Sequence, residues 1–532
     1  MSDRPRVVIA DALASEGMAI LEADSRLQVD DYSARSRGEL ERGLVGASGL
    51  IVRSGTQADA SLIAAGESLR VVGRAGVGLD NIDLDAATRR GVAVMNAPAG
   101  NTVSTAELAF ALLLSASRHI PAADSSLRDG HWDRKTFRGG QLSGKTLGVV
   151  GAGRIGATVI QRARAFGMRV VVADPYMTEE RARDMYVELM DLDDMLPVVD
   201  YLTFHVPLTA ETKGLLDSDR IGRLQPHTVV VNAARGGIVD EEALASALKE
   251  GRLAGAALDV YEDEPLPADS PLREAPNMVL TPHLGAATRD AQREVAIEIA
   301  TSVRAALLDG DYSAAVNMPP FARGDRDRLR PVLDLAERLG SVLGEVIQGG
   351  ISEVSIQYGG EVQRGLRLIS SAVLIGLWKV RLDSSLNLIN ALPMARERGI
   401  SVSRARMGEV TGYQGILEVT ARSADEVHLV TGGVEADGQL RLLRIDGYHV
   451  EVAPSGYLLI FRNRDEPGVV GEVGTLLGAA GVNIAEFHQA RDPEVGDSLA
   501  VLSLDERPGN DLLDDLRAIP AIQYARGVRL DT

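Results

Sequence analysis

Apolar residues along the first three hundred positions come in short, nearly unbroken runs separated by longer segments of helical period. Val7–Ile9, Leu50–Val52, Val71–Gly73 and Val92–Met95 open the series. Runs of this kind, too short for buried helices and lacking alternation, read as strands covered on both faces of a parallel sheet. The series resumes at Thr146–Val150 and Arg169–Ala173, then at Tyr201–His205, Thr228–Asn232, Gly255–Asp259 and Met278–Thr281. Two long segments, Asn101–His119 and Ala287–Leu308, carry apolar stripes at helical spacing and predict helices that lead the chain away from one unit and back to it. The pattern predicts an α/β protein with two doubly wound parallel sheets, the second domain (100–285) inserted in the first (1–99 and 286–318).

The rest of the chain is patterned differently. Residues 318–326, with paired prolines and local charge, read as a linker, and 319–455 mix helices and strands as an α+β domain. From Gly456 the order strand, helix, strand, strand, helix, strand within about 75 residues predicts a ferredoxin-like module. It contains no credible catalytic group, which favours a role in ligand binding or assembly.

Candidate chemistry gathers where the apolar runs end. Gly151-Ala152-Gly153-Arg154-Ile155-Gly156 follows one strand candidate, opens a helix, and is followed by Asp174 at the end of the next strand. In such a unit the first glycine permits a tight turn, the second lets backbone approach a pyrophosphate, and the third lets helix and strand pack closely. The acid then meets the adenosine ribose. Asp174 would also repel a 2′-phosphate, and Pro175-Tyr176 supplies no arginine to receive one, so NAD is expected over NADP. Hydride transfer to or from a carbonyl carbon needs a partner that moves a proton near neutral pH. Of eight histidines, His283 lies in the loop after a strand candidate, with Glu264 in the preceding strand-end loop and Arg235 one strand earlier. The acid would orient the imidazole, and the guanidinium could clamp a carboxylate. Taken singly, each has a plain alternative: a capped loop histidine, a solvated acid, a structural ion-pair donor. His205, Val206 and Pro207 end another strand and suit a cofactor wall better than catalysis. Arg53-Ser54 and the glycine-rich Arg74–Asn81 follow two strands of the first unit and are candidate ligand loops, or ordinary turns. Gly130–Gly140, basic and aromatic, could hold an anion through Arg134 or Lys135, or only connect.

Composition narrows this picture. The chain has 532 residues, enough for three or four domains, and is 45% hydrophobic and 25% charged, as expected of a folded soluble protein. With no cysteine, disulfides, thiolate catalysis and cysteine metal sites are excluded, and no metal is expected. A net charge of -19 argues against nucleic acid. No apolar run approaches the length of a membrane span, and the N-terminus lacks a signal-peptide pattern, so a cytoplasmic location is expected.

The strings GAGRIG with Asp174, HVPLT, NAARGGIVD, ALDVYEDEP and TPHLGAAT, in this order, resemble the D-isomer-specific 2-hydroxyacid dehydrogenases over roughly residues 1–320. The resemblance implies Arg235 as binder of the substrate carboxylate and carbonyl, Glu264 as partner acid and His283 as general acid/base. It implies cofactor contacts at Gly151, Gly153, Arg154, Ile155, Gly156, Asp174, Val206, Pro207, Ala233, Ala234, Arg235, Asp259, His283 and Gly285. VRSGT at Val52–Thr56 and RAGVGLDNID at Arg74–Asp83 look like the branch that oxidises 3-phosphoglycerate. The C-terminal segments resemble the intervening and ACT domains of its long form. Substrate contacts are then expected at Arg53, Ser54, Val77, Gly78, Asn101, Arg134 and Lys135, with the phosphate falling to Arg53 and to Arg134 or Lys135. An L-serine effector would meet Asn463, Asp465, Asn483 and Ile484 between paired ACT modules. Other members carry Tyr or His where Asn463 stands, and a basic residue is common where Glu466 stands. A homo-oligomer, dimer or tetramer, is implied. The alternatives are a glyoxylate or hydroxypyruvate reductase, a NAD-sensing interaction protein, and a pure amino-acid sensor.

Overall fold

The computed structural model describes residues 4–319, 326–360, 365–379, 386–408, 412–492 and 496–530. Most of the linker expected at 318–326 lies outside them.

The first sheet has the order β2-β1-β3-β4-β5, built from β1 (Arg6–Ile9), β2 (Gln28–Asp31), β3 (Gly49–Val52), β4 (Val71–Arg74) and β5 (Ala93–Asn96), and all its pairings are parallel. Its central strands are closed to water on both faces, which explains their unbroken apolar sequences. β2, reading QVDD, is a polar edge strand that no hydrophobic pattern announces.

The second sheet is also parallel, in the order β12-β11-β10-β9-β6-β7-β8. It comprises β6 (Thr146–Val150), β7 (Arg169–Ala173), β8 (Glu188–Leu189), β9 (Tyr201–Phe204), β10 (Val229–Asn232), β11 (Gly255–Leu258) and β12 (Met278–Leu280). The order reverses at β6, where a doubly wound sheet opens its ligand crevice.

Two crossing helices join the units. Thr102–Arg118 packs on the second sheet, whereas Arg289–Asp309 buries Val295, Ile299 and Val303 among the residues of the first. Their starts are tied by Ser104 and Thr288 hydroxyls 2.7 Å apart and by Glu298, which accepts the Ala99 and Gly100 N–H groups. The long helix expected from Asn101 to His119 ends at Arg118. His119 is left-handed (φ 52), and a second helix, Ile120–Arg128, starts with no buried residue.

The α+β domain carries a mixed six-stranded sheet in the order β14-β13-β15-β16-β17-β18: β13 (Ile351–Gly360), β14 (Ser401–Arg406), β15 (Gly415–Ser423), β16 (Val427–Val434), β17 (Leu440–Ile445) and β18 (Tyr448–Val452). Helices Arg326–Val346 and Leu366–Lys379 cover it. The last module, β19 (Gly456–Arg464), β20 (Ile484–Asp492), β21 (Asp497–Leu504) and β22 (Ile522–Leu530), has two helices on one antiparallel sheet of order β20-β21-β19-β22. Packing is continuous along the chain of domains. Leu458, Ile460 and Val528 of the last sheet join the core of the α+β domain, and Leu368 and Ile389 of that domain join the core of the first sheet. No helix among the described residues is long and apolar enough to cross a membrane.

Candidate active site

The glycine loop after β6 is an open anion cradle. Gly151 is left-handed (φ 88), and a Cβ there would meet the His205 carbonyl and Val206 within 2.7 Å. A Cβ on Gly156 would stand 2.1 Å from the Gly151 carbonyl oxygen, so only glycine lets this helix sit so close to its strand. Gly153, by contrast, faces open space: nothing lies within 4 Å of where its Cβ would be. The first helical bond runs from Ala157 N–H to the Gly153 carbonyl, leaving the N–H groups before it for a ligand. Asp174 follows β7 and accepts the Ala152 N–H (2.8 Å) and the Tyr176 N–H (2.9 Å), which fixes a carboxylate beside the cradle. These residues fit the pyrophosphate and ribose of a dinucleotide. His205 lies beneath the loop; burial pushes its imidazole down to about 4, so it is neutral, and its Nε2 is 3.1 Å from the Thr203 hydroxyl.

The proton-handling pair follows β11 and β12, at the same carboxyl ends but towards one edge of the sheet. His283 Nδ1 is 2.7 Å from Glu264 Oε2, and Glu264 Oε1 accepts the Tyr261 N–H. The histidine backbone is left-handed (φ 54), a conformation that costs a non-glycine residue roughly 1–2 kcal/mol. Asp259 offsets this. Fully buried, it accepts the Thr281 hydroxyl (2.6 Å), the Leu284 N–H (2.7 Å) and the Gly285 N–H (2.9 Å), while its carbonyl accepts the His283 N–H. Together these bonds hold the loop in its strained conformation. Asp259 is enclosed by these donors. It braces the histidine loop. Thr105 on the first crossing helix donates to the Gly285 carbonyl and locks the loop to the hinge.

Arg235 follows β10 and reaches across the cleft. Its Nε is 3.2 Å from Asp80 of the small domain and its Nη1 donates to the Ala234 carbonyl. Asn232 shapes the turn by donating to the Arg235 carbonyl and accepting the Ala234 N–H; Ala233 is buried behind it. Nη2 lies over the second glycine loop, 2.2 Å from where a Gly78 Cβ would be. Asn96 holds the Val77 carbonyl (2.6 Å), turning that peptide so that the Gly78 N–H points away from it.

Arg53 is clamped next to this loop. Its N–H donates to Asp11 (2.5 Å), its side chain to the Ala12 carbonyl, and Asn81 holds its carbonyl. Ser54 beside it is exposed. Asn101 caps the crossing helix with its Oδ1 enclosed and unpartnered. Arg134 and Lys135 are both exposed, in a loop whose end is anchored on helix Thr102–Arg118 where the Gly140 N–H donates to the Ser117 carbonyl.

Arg74 opens the candidate ligand loop Arg74–Asn81, though nothing in the sequence singles it out there. Arg74 ends β4, is mostly buried, and lies over Gly76, where a Cβ would be 1.4 Å from its Nη1. Burial, then the neighbouring Arg235, lowers it to about 10, with Asp80 opposing and Arg53 adding to the shift. Its Nε is enclosed and unpartnered.

The expected effector residues each have partners within the module. Asn463 is 1% exposed and its amide is used inside the module, accepting from Ser498 (2.9 Å) and donating to the Arg464 carbonyl (2.7 Å). It braces β19 against β21. Asp465 stands 3.5 Å from Arg491, Asn483 donates to Asp505, and Ile484 packs against the module's core.

Comparison with known proteins agrees with this architecture. Residues 110–285 match the D-isomer specific 2-hydroxyacid dehydrogenase NAD binding domain, 328–446 the D-3-phosphoglycerate dehydrogenase intervening domain, and 457–521 the ACT domain. The D-3-phosphoglycerate dehydrogenase of Archaeoglobus fulgidus is 40% identical over 99% of this chain and all of its own length. That of Mycobacterium bovis is 41% identical over 96% of each. Among solved structures, a glyoxylate reductase from Paecilomyes thermophila (29% identity, TM-score 0.55) covers 59% of this chain and 98% of its own. A D-lactate dehydrogenase from Aquifex aeolicus complexed with NAD and lactic acid (26%, TM-score 0.51) covers 57% and 96%. The chain belongs to the D-3-phosphoglycerate dehydrogenases, a branch of the D-isomer specific 2-hydroxyacid dehydrogenases that joins the NAD-binding domain to intervening and ACT domains.

Proposed function

We propose that the chain oxidises the C2 hydroxyl of 3-phospho-D-glycerate to 3-phosphohydroxypyruvate, the entry step to L-serine by the phosphorylated route. The observation that carries this reading is the Glu264–His283 contact of 2.7 Å on the strand-end face that also presents Arg235. With Nδ1 committed to Glu264, His283 offers Nε2 to the substrate hydroxyl and takes its proton. Bound NAD supplies the acceptor for the hydride that leaves C2. Arg235 and the N–H groups of Val77 and Gly78 hold the carboxylate and polarise the forming carbonyl. Asp174 and the cradle at Gly153 seat the dinucleotide, with Val206, Pro207 and Ala234 along its path. Asp80 occupies Arg235 across the cleft, so substrate carboxylate competes with it as the domains close.

A homo-oligomer fits the helix Ile120–Arg128, which buries nothing and exposes Ile120 and Leu127 beside an 81% exposed Trp132. L-serine as an effector of the ACT module is supported by the unbroken packing from that module to the first sheet. The reaction then sits in the cytoplasm, with its substrate.

Purified protein is expected to form NADH from 3-phosphoglycerate and not from glycerate. The reverse preference favours the glyoxylate or hydroxypyruvate reductase reading.

A further inference from the structure

The acid that orients His283 sits in a turn with little of its own to hold it. Tyr261 anchors the near end: it is buried, and its hydroxyl donates to the Leu258 and Thr281 carbonyls where β11 and β12 finish. Beyond it, Glu262, Asp263 and Glu264 are exposed. Among the described residues one hydrogen bond reaches their backbone, from the Glu262 N–H to Glu241 Oε1 at 2.6 Å. Glu241 opens helix Glu241–Lys249, which Asp240 caps by accepting the Ala243 N–H. A helix start favours a carboxylate, but these surroundings do not. Glu241 is half-buried, and burial raises its carboxyl above its ordinary value; the Glu262 N–H opposes this, and the charges of Glu262, Asp263 and Glu264 add to it. Sheltering an acid among three others costs stability, a breach of local rules that is expected where function requires it.

The segment that ends at Glu241 begins at Arg235, and it meets the acid turn at both ends. A Cβ on Gly236 would stand 1.7 Å from the Tyr261 carbonyl oxygen and 2.6 Å from the Glu262 nitrogen, so the two backbones are in contact there. Between these ends Ile238 and Val239 are buried. The Ile238 carbonyl accepts the Leu216 N–H, and the Asp240 N–H donates to the Leu216 carbonyl, which makes the strip a fixed frame. Glu241 thus ties the turn that carries Glu264 to the strip that presents Arg235.

We infer that Glu241 is a positioning residue for the proton transfer: by accepting the Glu262 N–H it sets the turn so that Glu264 stays on His283 Nδ1 while Arg235 holds the substrate. This rests on the reaction proposed above. The carboxylate acts here as a hydrogen-bond acceptor, so Glu241→Gln, whose amide oxygen still accepts, restores what Glu241→Ala removes. A brace that served only the fold would lower the melting temperature and leave the chemical step alone.

The test compares the full chain as wild type, Glu241→Ala and Glu241→Gln, with NAD and saturating 3-phosphoglycerate. The single-turnover rate of NADH formation is expected to fall about tenfold in Glu241→Ala, with KM and NAD affinity within about twofold of wild type, and to recover most of that loss in Glu241→Gln. An unchanged rate in Glu241→Ala overturns the inference, as does a Glu241→Gln rate that falls as far, or a loss confined to KM. If Glu241→Ala does not fold, Glu241→Asp takes its place: it keeps the charge but withdraws the acceptor by one methylene. Its rate is expected to fall about threefold, and a wild-type rate overturns the inference. Hydrogen exchange of residues 262–264 needs no substrate and so separates this inference from the proposed reaction. Protection there is expected to fall about tenfold in Glu241→Ala and to be kept in Glu241→Gln. Equal exchange in wild type and Glu241→Ala overturns the inference, whether or not 3-phosphoglycerate is oxidised.

Discussion

The molecule has two glycine-rich loops at carboxyl ends of parallel strands, and they use their glycines oppositely. After β6, Gly153 faces empty space and leaves bare N–H groups for a ligand to approach. After β4, Gly76 and Gly78 are each overlaid by a guanidinium, Arg74 on one and Arg235 on the other. The first loop makes room for backbone dipoles, which suit a pyrophosphate spread along a helix start. The second makes room for whole cations, which suit compact anionic groups of a small acid. Similar sequence punctuation therefore yields a cofactor cradle in one domain and a substrate floor in the other, and the histidine loop stands apart from both as the proton-handling element.

The division of labour can be broken at separate points. The largest effect is expected from His283→Ala: turnover should fall about 10²–10⁴-fold while NAD still binds, since the imidazole moves a proton and the cradle does not depend on it. Equilibrium NAD titration beside steady-state rates checks both halves. Gly153→Val should weaken NAD about a hundredfold with little change in melting temperature, because the structure leaves space that only the ligand needs. An equal loss of thermal stability would mean that the glycine serves the fold instead. Gly78→Ala should do the converse, raising substrate KM about tenfold as its Cβ displaces Arg235, with NAD affinity held.

The smallest effect concerns His205 beneath the first loop. With its pKa depressed to about 4 in the folded chain against 6.5 in the unfolded one, the unfolded state binds more protons between those values. Its neutral burial therefore contributes stability above pH 6.5 that is lost as pH falls towards 4. Denaturant midpoints measured across that window should decline with acid in the wild type and less steeply in His205→Gln.

Much of this was legible in the sequence because fully buried parallel strands write themselves as unbroken apolar runs, and the loops that follow them carry the chemistry. The glycine cradle, Asp174, Arg235, Glu264 and His283 all follow from that one regularity. What failed to show was whatever lacks an apolar signal or depends on distant neighbours. β2 is a polar edge strand held by pairing with β1, and the break at His119 is a single left-handed residue inside an otherwise helical pattern. Asp259 and Asn463 look like ligand-facing polar groups in one dimension. In three, each is buried by partners from other segments, Asp259 by the loop after β12 and Asn463 by Ser498 on β21. Arg74 opens a loop that the pattern marks, but its neighbours Arg53 and Arg235 come from a neighbouring strand and from the other domain.

The central claim is hydride transfer from C2 of a phosphorylated acid to the cofactor seated at Gly153. Incubating the protein with NAD and 3-phosphoglycerate deuterated at C2, then weighing the reduced cofactor, tests it directly. The account predicts NADH heavier by one mass unit with a slowed single-turnover rate. Reduced cofactor without deuterium, or transfer from deuterated glycerate alone, would contradict it.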